Sequence, residues 1–274
     1  MNELDRARNL LDTADKIIVL TGAGFGVSLG TPVYWTGENN RYGGEESRFG
    51  FTDLEHAHAD MWFNRKAEQI EFFHEKWRDM VNQVIVGEDS PYTLLLDYLN
   101  NANKDYFVVT SNVDHAFVRS GFEPFKVLEV HGAYNRSQCL TERLAHGVFL
   151  TKNPNEGVTV CPKCGSDTRP NVLLFDDPYF NRGFNLIQEM RFYDFLEPIR
   201  EGETRTVILE IGAGLTVPNI RNQTSRLSFE LNIPVIRINL HQTQAGDHTN
   251  NFNIPVLEFP METVEGLKTI LSPK

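Results

Sequence analysis

Four short segments hold the residue types best suited to chemistry. In the first, an apolar run, Val127-Leu128-Glu129-Val130, delivers His131 and then Gly132 to a loop. Histidine titrates near neutrality and can act as a general base toward a sugar hydroxyl. His115 and His241 also follow apolar runs, so position alone does not single out His131. In the second, Thr110-Ser111-Asn112-Val113-Asp114, an Asn and an Asp two residues apart follow the run YFVVT. Side chains so placed can both face a crevice and hydrogen-bond a ribose or an amide, and both are equally good helix N-caps. In the third, Gly22-Ala23-Gly24-Phe25-Gly26 follows KIIVL. Glycines let a backbone approach a diphosphate, and a helix start offers it N–H groups. A purely structural turn uses the same residues. The fourth is Cys161-Pro-Lys-Cys164, with Cys139 upstream. Two thiolates at that spacing suit tetrahedral zinc, which wants four ligands in a structural site. His146 and Glu142 are candidates for the missing one, and a metal-free knuckle held by packing is the alternative.

The elements that must position these segments alternate in type. Lys16–Leu20, Tyr106–Thr110, Thr206–Ile211 and Pro234–Asn239 are short, β-branched and nearly all apolar. Such runs read as strands buried on both faces. Helical patterns cover Glu3–Ala14, Tyr92–Asn101 and Asn185–Ile199. The alternation predicts an α/β fold with a doubly wound, Rossmann-like parallel sheet. Ligands of such sheets bind beyond the carboxyl ends of the strands, where the glycine and asparagine turns all fall. Two stretches break the pattern. One, 35–86, is aromatic, charged and partly helical; the other, 133–170, holds the cysteines. The expected division is therefore a nucleotide-binding domain from 1–34, 87–132 and 171–274, with 35–86 and 133–170 forming a small helical and zinc-ribbon-like domain.

The net charge of −11 speaks against a general nucleic-acid binder, which needs a basic face. No apolar run approaches the roughly 18 residues of a membrane span. The charged N-terminus lacks the order of a secretory signal, so a cytoplasmic location is expected. Three cysteines in such a chain argue for metal binding over a disulfide framework. Nothing fixes the oligomeric state.

Taken in order, the segments resemble the sirtuin family. Its G-A-G turn and following loop read Gly22-Ala23-Gly24 to Trp35, its T-Q-N-I-D reads Thr110-Ser111-Asn112-Val113-Asp114, and its H-G reads His131-Gly132. Its cysteine region follows, then Arg169-Pro-Asn-Val-Leu-Leu-Phe175, then Gly212-Ala213-Gly214-Leu-Thr-Val-Pro218 and Ile238-Asn239. The resemblance implies NAD as a co-substrate cleaved to nicotinamide, and an acylated protein as partner. It implies that Gly22, Ala23 and Gly24 cradle the diphosphate of the cofactor and that Tyr34 also binds the cofactor. Ser111, Asn112 and Asp114 would hold the nicotinamide ribose, with Asn112 also catalytic. Gly212, Ala213, Gly214 and Asn239 would line the adenosine side, and His131 would be the catalytic base. Cys139, Cys161 and Cys164 would be zinc ligands.

Three departures from the family pattern surround the nicotinamide pocket. They are Gly26 for Ser, Val33-Tyr34-Trp35 for Asp-Phe-Arg, and Ser111 for Gln. Protein-lysine deacylation is the expected reaction. ADP-ribosyl transfer to protein or NAD hydrolysis is the alternative these departures motivate, and a silent NAD-binding protein is the third.

Overall fold

The computed structural model describes residues 2–29, 57–64, 67–70, 87, 89–141, 145–150, 160–215, 217–240 and 254–272. Six strands form one parallel sheet: β1 (Lys16–Thr21), β2 (Asp105–Thr110), β3 (Val127–Glu129), β7 (Thr206–Ile211), β8 (Val235–Ile238) and β9 (Val256–Phe259). Their order is β3-β2-β1-β7-β8-β9. The order reverses between β1 and β7, and a sheet of this kind opens its ligand crevice at that switch point.

Alternate side chains of each strand enter separate cores, as the period of two demands. Ile17, Val19, Tyr106 and Val108 pack with Leu11, Leu95, Leu99 and Leu267. These come from helices α1 (Glu3–Thr13), α3 (Pro91–Asn101) and α7 (Thr263–Leu271). Ile18, Leu20, Phe107 and Ile208 pack on the other face with Phe192, Leu196, Ile220 and Leu227. Those belong to helices α5 (Gly183–Arg200) and α6 (Asn219–Leu231). Caps fix two helix starts. Asn2 accepts from the Asp5 N–H at 2.7 Å, and Ser90 caps α3 with Pro91 at its first position. Two further helices are short, α2 (Met61–Asn64) and α4 (Ala116–Arg119).

A second sheet is antiparallel: β4 (Gly132–Cys139) lies between β5 (Val148–Leu150) and β6 (Thr168–Val172). Its strand β4 ends at Cys139, and Cys161 and Cys164 lie on the connection between β5 and β6, so the expected α/β fold with a separate cysteine-bearing part stands, that part being an antiparallel sheet. Gly132 begins β4 at φ +74°, and a Cβ there would collide with the Asn171 carbonyl. The sequence reading missed α6, α7 and β9, and it carried β8 a residue too far at each end. The stretch following β1 is a 3-10 helix, Ala23–Leu29. Of the aromatic stretch 35–86, the parts 35–56, 65–66, 71–86 lie outside the described residues. No described helix is long and apolar enough to cross a membrane.

Candidate active site

Backbone hydrogen bonds tie the loops at the strand ends into one body. The Ser111 N–H donates to the Thr21 carbonyl at 3.0 Å, linking the first two loops. The Val130 N–H donates to Thr110 and the Tyr134 N–H to Val113, both at 2.9 Å, so the His131 loop runs beside the Asn112 loop. On the other side, Gly22 donates to Ile211 and Gly24 to Gly212, both at 3.0 Å. Gly212 in turn donates to Ile238 at 2.9 Å. Every segment singled out at a strand end is thus in direct contact with the next.

The glycines earn their place differently from the first expectation. The Gly22 and Gly24 amides point at the neighbouring turn. A Cβ on Gly22 would lie 2.5 Å from the Gly212 carbonyl oxygen, and one on Gly24 would lie 2.8 Å from the Gly212 Cα. Gly212, at φ +64°, has the matching restriction, since its Cβ would collide with the Phe25 amide. The absence of side chains lets two turns interlock. Ala23, between them, has its amide outside this pairing.

His131 is half-buried and faces two partners. Its Nε2 lies 2.7 Å from Asn219 Nδ2, and the ring also donates to the Ser111 carbonyl. Burial pushes its pKa below the ordinary value, with the Ser111 carbonyl partly opposing. The imidazole is therefore neutral at physiological pH. An amide nitrogen only donates, so Nε2 carries the lone pair and Nδ1 the proton.

Asn112 and Asp114 share a residue that sequence reasoning missed. The Tyr92 hydroxyl, wholly buried, lies 3.5 Å from Asp114 Oδ2 and also meets the Asn112 side chain. Its ring is fixed by Phe25 and Phe117 at centroid distances of 4.9 and 4.8 Å. Asp114 Oδ1 accepts from the Ala116 N–H at 2.9 Å, while the N-cap position of α4 falls on His115 and not on Asp114 or Asn112. Burial raises the Asp114 pKa, while the Ala116 N–H works against that. Nothing in the sequence around Pro91-Tyr92 marks the tyrosine as more than core.

His115 is put to another use. Its Nδ1 pairs with Glu129 Oε1 at 2.8 Å, from a left-handed backbone at φ +58°. Arg136 pairs with the other Glu129 oxygen, and Asn185 holds the Glu129 carbonyl at 2.6 Å. Burial alone would raise the Glu129 pKa, but His115 and Arg136 outweigh it and hold the carboxyl low. This engagement separates His115 from His131. His241 and Tyr34 lie outside the described residues.

On the β7 side, Ala213 accepts from Asn239 Nδ2 at 3.4 Å and from Arg221 at 2.7 Å. Gly214, next along the turn, is exposed. Beneath that turn lies a buried ionic quartet. Glu210 meets Arg221 at 3.2 Å and Arg237 at 2.6 Å, and Arg237 meets Glu258 at 3.0 Å. Arg221, from the first turn of α6, therefore holds the glycine turn in place.

The cysteines converge with a histidine. Ligand atoms of Cys139, His146, Cys161 and Cys164 all lie within 4.8 Å of one another. The Cys139 and Cys164 sulfurs are 3.7 Å apart, and Cys161 Sγ is 3.4 Å from His146 Nδ1. Sulfur separations of about 3.8 Å follow from tetrahedral zinc with Zn–S bonds of about 2.3 Å. Hydrogen bonds from the Ser166 side chain and backbone push the Cys164 thiol down to about 6, toward the thiolate a metal requires. The donor set fits zinc, with His146 in the position the sequence left open. Glu142 lies outside the described residues.

A sequence model of the Sir2 family matches residues 22–199. This chain belongs to the Sir2 family. Among Sir2 relatives, it is 31% identical over 181 residues to an NAD-dependent protein deacylase of Thermococcus kodakarensis, covering 64% of this chain and 65% of that one. An NAD-dependent protein deacetylase of Staphylococcus epidermidis is 22% identical over 222 residues, 78% of each chain. A probable bifunctional ADP-ribose hydrolase/ADP-ribosyltransferase of Fusarium oxysporum f. sp. cubense is 24% identical over 79% of this chain but 38% of its own. The fold is that of a Sir2 homologue solved in complex with NAD, at TM-score 0.69 and 16% identity over 97% of this chain and 92% of that one. A Sir2 structure with a p53 peptide and NAD+ gives 0.66 at 18% identity, covering 99% and 98%.

Proposed function

We propose that this Sir2 protein is an NAD-dependent protein-lysine deacylase, with nicotinamide, O-acyl-ADP-ribose and free lysine as products. The reading rests on one observation above all: a neutral His131, its Nε2 lone pair fixed, stands beside the loop of Asn112 and Asp114. The residues present fit a dinucleotide laid across the switch point, with hydrogen-bonding side chains at one end and an exposed glycine turn at the other. NAD supplies a ribose C1′ that loses nicotinamide and is attacked by the acyl oxygen of the modified lysine. His131 would take the proton of a ribose hydroxyl through Nε2, so that this hydroxyl attacks the acyl carbon. The lysine amine then leaves with a proton, water adds at the same carbon, and its bond to the C1′ oxygen breaks, leaving the ester on the ribose and a free C1′ hydroxyl. General-base help of that kind is worth roughly 100- to 10,000-fold in rate. Asn112 orients the nicotinamide ribose, Ser111 and Asp114 back it, and Tyr92 holds both carbonyl-bearing side chains. Ala23, with Gly22 and Gly24 shaping its turn, serves the diphosphate, and Tyr34 also binds the cofactor. Gly212, Ala213, Gly214 and Asn239 serve the adenosine.

Named relatives support the choice, two of them being a deacylase and a deacetylase. Ser111 and Gly26, where the family pattern has Gln and Ser, favour a second reading: transfer of ADP-ribose to a protein, or to water. The test is incubation with NAD labelled on its adenylate, with and without an acetyl-lysine peptide. O-acyl-ADP-ribose supports deacylation, label kept on protein supports the transferase, and free ADP-ribose alone supports the hydrolase. His131→Ala should abolish O-acyl-ADP-ribose while NAD still binds. Wild-type turnover in that variant overturns the role.

A further inference from the structure

The imidazole of His131 is gripped from both sides by elements that cannot easily move. Val130 and Leu173 fix its backbone, through the Thr110 carbonyl at 2.9 Å and the His131 carbonyl at 2.8 Å. Opposite stands Asn219, the first residue of α6 and exposed at its side chain. Its backbone is anchored by the two residues that follow. Ile220 is buried in the core, and Arg221 is tied to Glu210 and to the Ala213 carbonyl. Asn219 therefore reaches from the adenosine-side turn across to the base, and its Nδ2 meets His131 Nε2 at 2.7 Å.

A neutral imidazole has one donor and one acceptor. Here the Ser111 carbonyl takes the donor and the Asn219 amide fills the acceptor. We propose that Asn219 is a positioning residue for His131, fixing the ring as the Nδ1–H tautomer and occupying its Nε2 lone pair until a sugar hydroxyl takes that place. The exchange is like for like, since amide and hydroxyl both present a hydrogen to the same lone pair. The ring neither turns over nor changes charge when the ligand arrives, so the base is ready in the right tautomer. Neighbouring charges do not compete for this role. Glu129, two residues before, is engaged by His115 and Arg136, and Asp114 is held by Ala116 and Tyr92. The identity of the incoming hydroxyl rests on the function proposed above; the tautomer does not.

The test uses the full chain labelled with 15N-histidine, with His131 assigned by comparison with His131→Ala. Two-bond nitrogen–proton correlations read which ring nitrogen carries the proton. Wild type should show a protonated Nδ1 and a bare, hydrogen-bonded Nε2. In Asn219→Ala the Ser111 carbonyl still favours the Nδ1–H form, so the other tautomer should gain only a minor share, while the His131 pKa should rise by about half to one unit, as one lost hydrogen bond to the neutral form predicts. In Asn219→Asp the carboxylate should recruit a proton to Nε2 and raise the pKa by more than about one unit. ADP-ribose, added as an unreactive probe, should shift the Nε2 signal in wild type. Turnover should follow: Asn219→Asp loses kcat at neutral pH, and Asn219→Ala lowers kcat by the share of His131 rings it leaves protonated or in the other tautomer, with the acid limb of the pH profile moved up accordingly. A protonated Nε2 in wild type overturns the proposal, as does an unchanged tautomer and pKa across both variants. An inactive protein that shows the Nδ1–H tautomer and its response to Asn219 overturns the deacylase reading and leaves this one standing.

Discussion

The amide of Gly24 donates to the carbonyl of Gly212 at 3.0 Å, across 188 residues of chain (212 − 24). That bond closes the switch point of the sheet, and neither glycine tolerates a side chain. Gly24→Ala places a Cβ 2.8 Å from the Gly212 Cα and 2.9 Å from its carbonyl oxygen. Backbone on both sides cannot yield cheaply, so a loss of about 3 kcal/mol or more is expected. Gly147→Ala is the control, because nothing lies within 4 Å of its Cβ position and only its φ of +71° is unfavourable. It should lose about 1–2 kcal/mol. Urea unfolding of the two variants measures the difference.

Tyr92→Phe removes a hydroxyl and keeps a ring. The stack on Phe25 and Phe117 survives, so stability should fall by only about 1 kcal/mol. Asn112 and Asp114 lose their common partner, and NAD turnover should fall about tenfold through KM, kcat or both. A variant as active as wild type removes Tyr92 from the site.

Arg221 bonds both the Glu210 carboxylate and the Ala213 carbonyl. Arg221→Met breaks a buried pair and should cost about 3 kcal/mol, since it leaves Glu210 short of one partner. Adding Glu210→Gln should restore part of that loss, and the double-mutant cycle reads the coupling. NAD affinity should weaken in Arg221→Met because the glycine turn is no longer held from below.

Burial holds the His131 pKa below its ordinary 6.5. The neutral ring is the working base, so kcat/KM should stay level down through pH 6.5 and fall only beneath it. The sign for stability is the same. A folded-state pKa below the unfolded one contributes stability above pH 6.5, and that contribution is lost as pH falls through the folded value. A kcat/KM limb rising above pH 7 contradicts the environment described for this ring.

Purified protein should carry one zinc held by Cys139, His146, Cys161 and Cys164. Elemental analysis counts it. His146→Ala should weaken metal binding by about 100-fold or more, and a strong chelator should then strip it faster than from wild type. Full retention by the variant excludes His146 as a ligand.

Much of this was legible in the chain. β1, β2 and β7 are apolar, β-branched runs with glycine or asparagine turns at their ends, and a doubly buried parallel strand leaves just that trace. Helix α6 left none, because its buried face includes Arg221, Thr224 and Ser228 beside Ile220 and Leu227. A helix that buries an ionic partner breaks the apolar stripe on which periodicity depends. The same reason hid Asn219. Tyr92 read as core because it is core, and its hydroxyl acquires meaning only when Asn112 and Asp114 fold over it. His146 was one of two candidates for the fourth ligand, since it lies 15 residues from Cys161 and no fixed spacing ties the two together in sequence.

The quartet of Glu210, Arg221, Arg237 and Glu258 crosses three adjacent strands and one helix with almost no solvent to share. Its members are heritable only as a set. A chimera joined between Arg221 and Arg237, with a donor lacking the second arginine, would strand a carboxylate inside the sheet. Grafts whose junction falls between Glu210 and Glu258 must therefore carry all four positions from one parent, or swap them together for uncharged residues of similar volume.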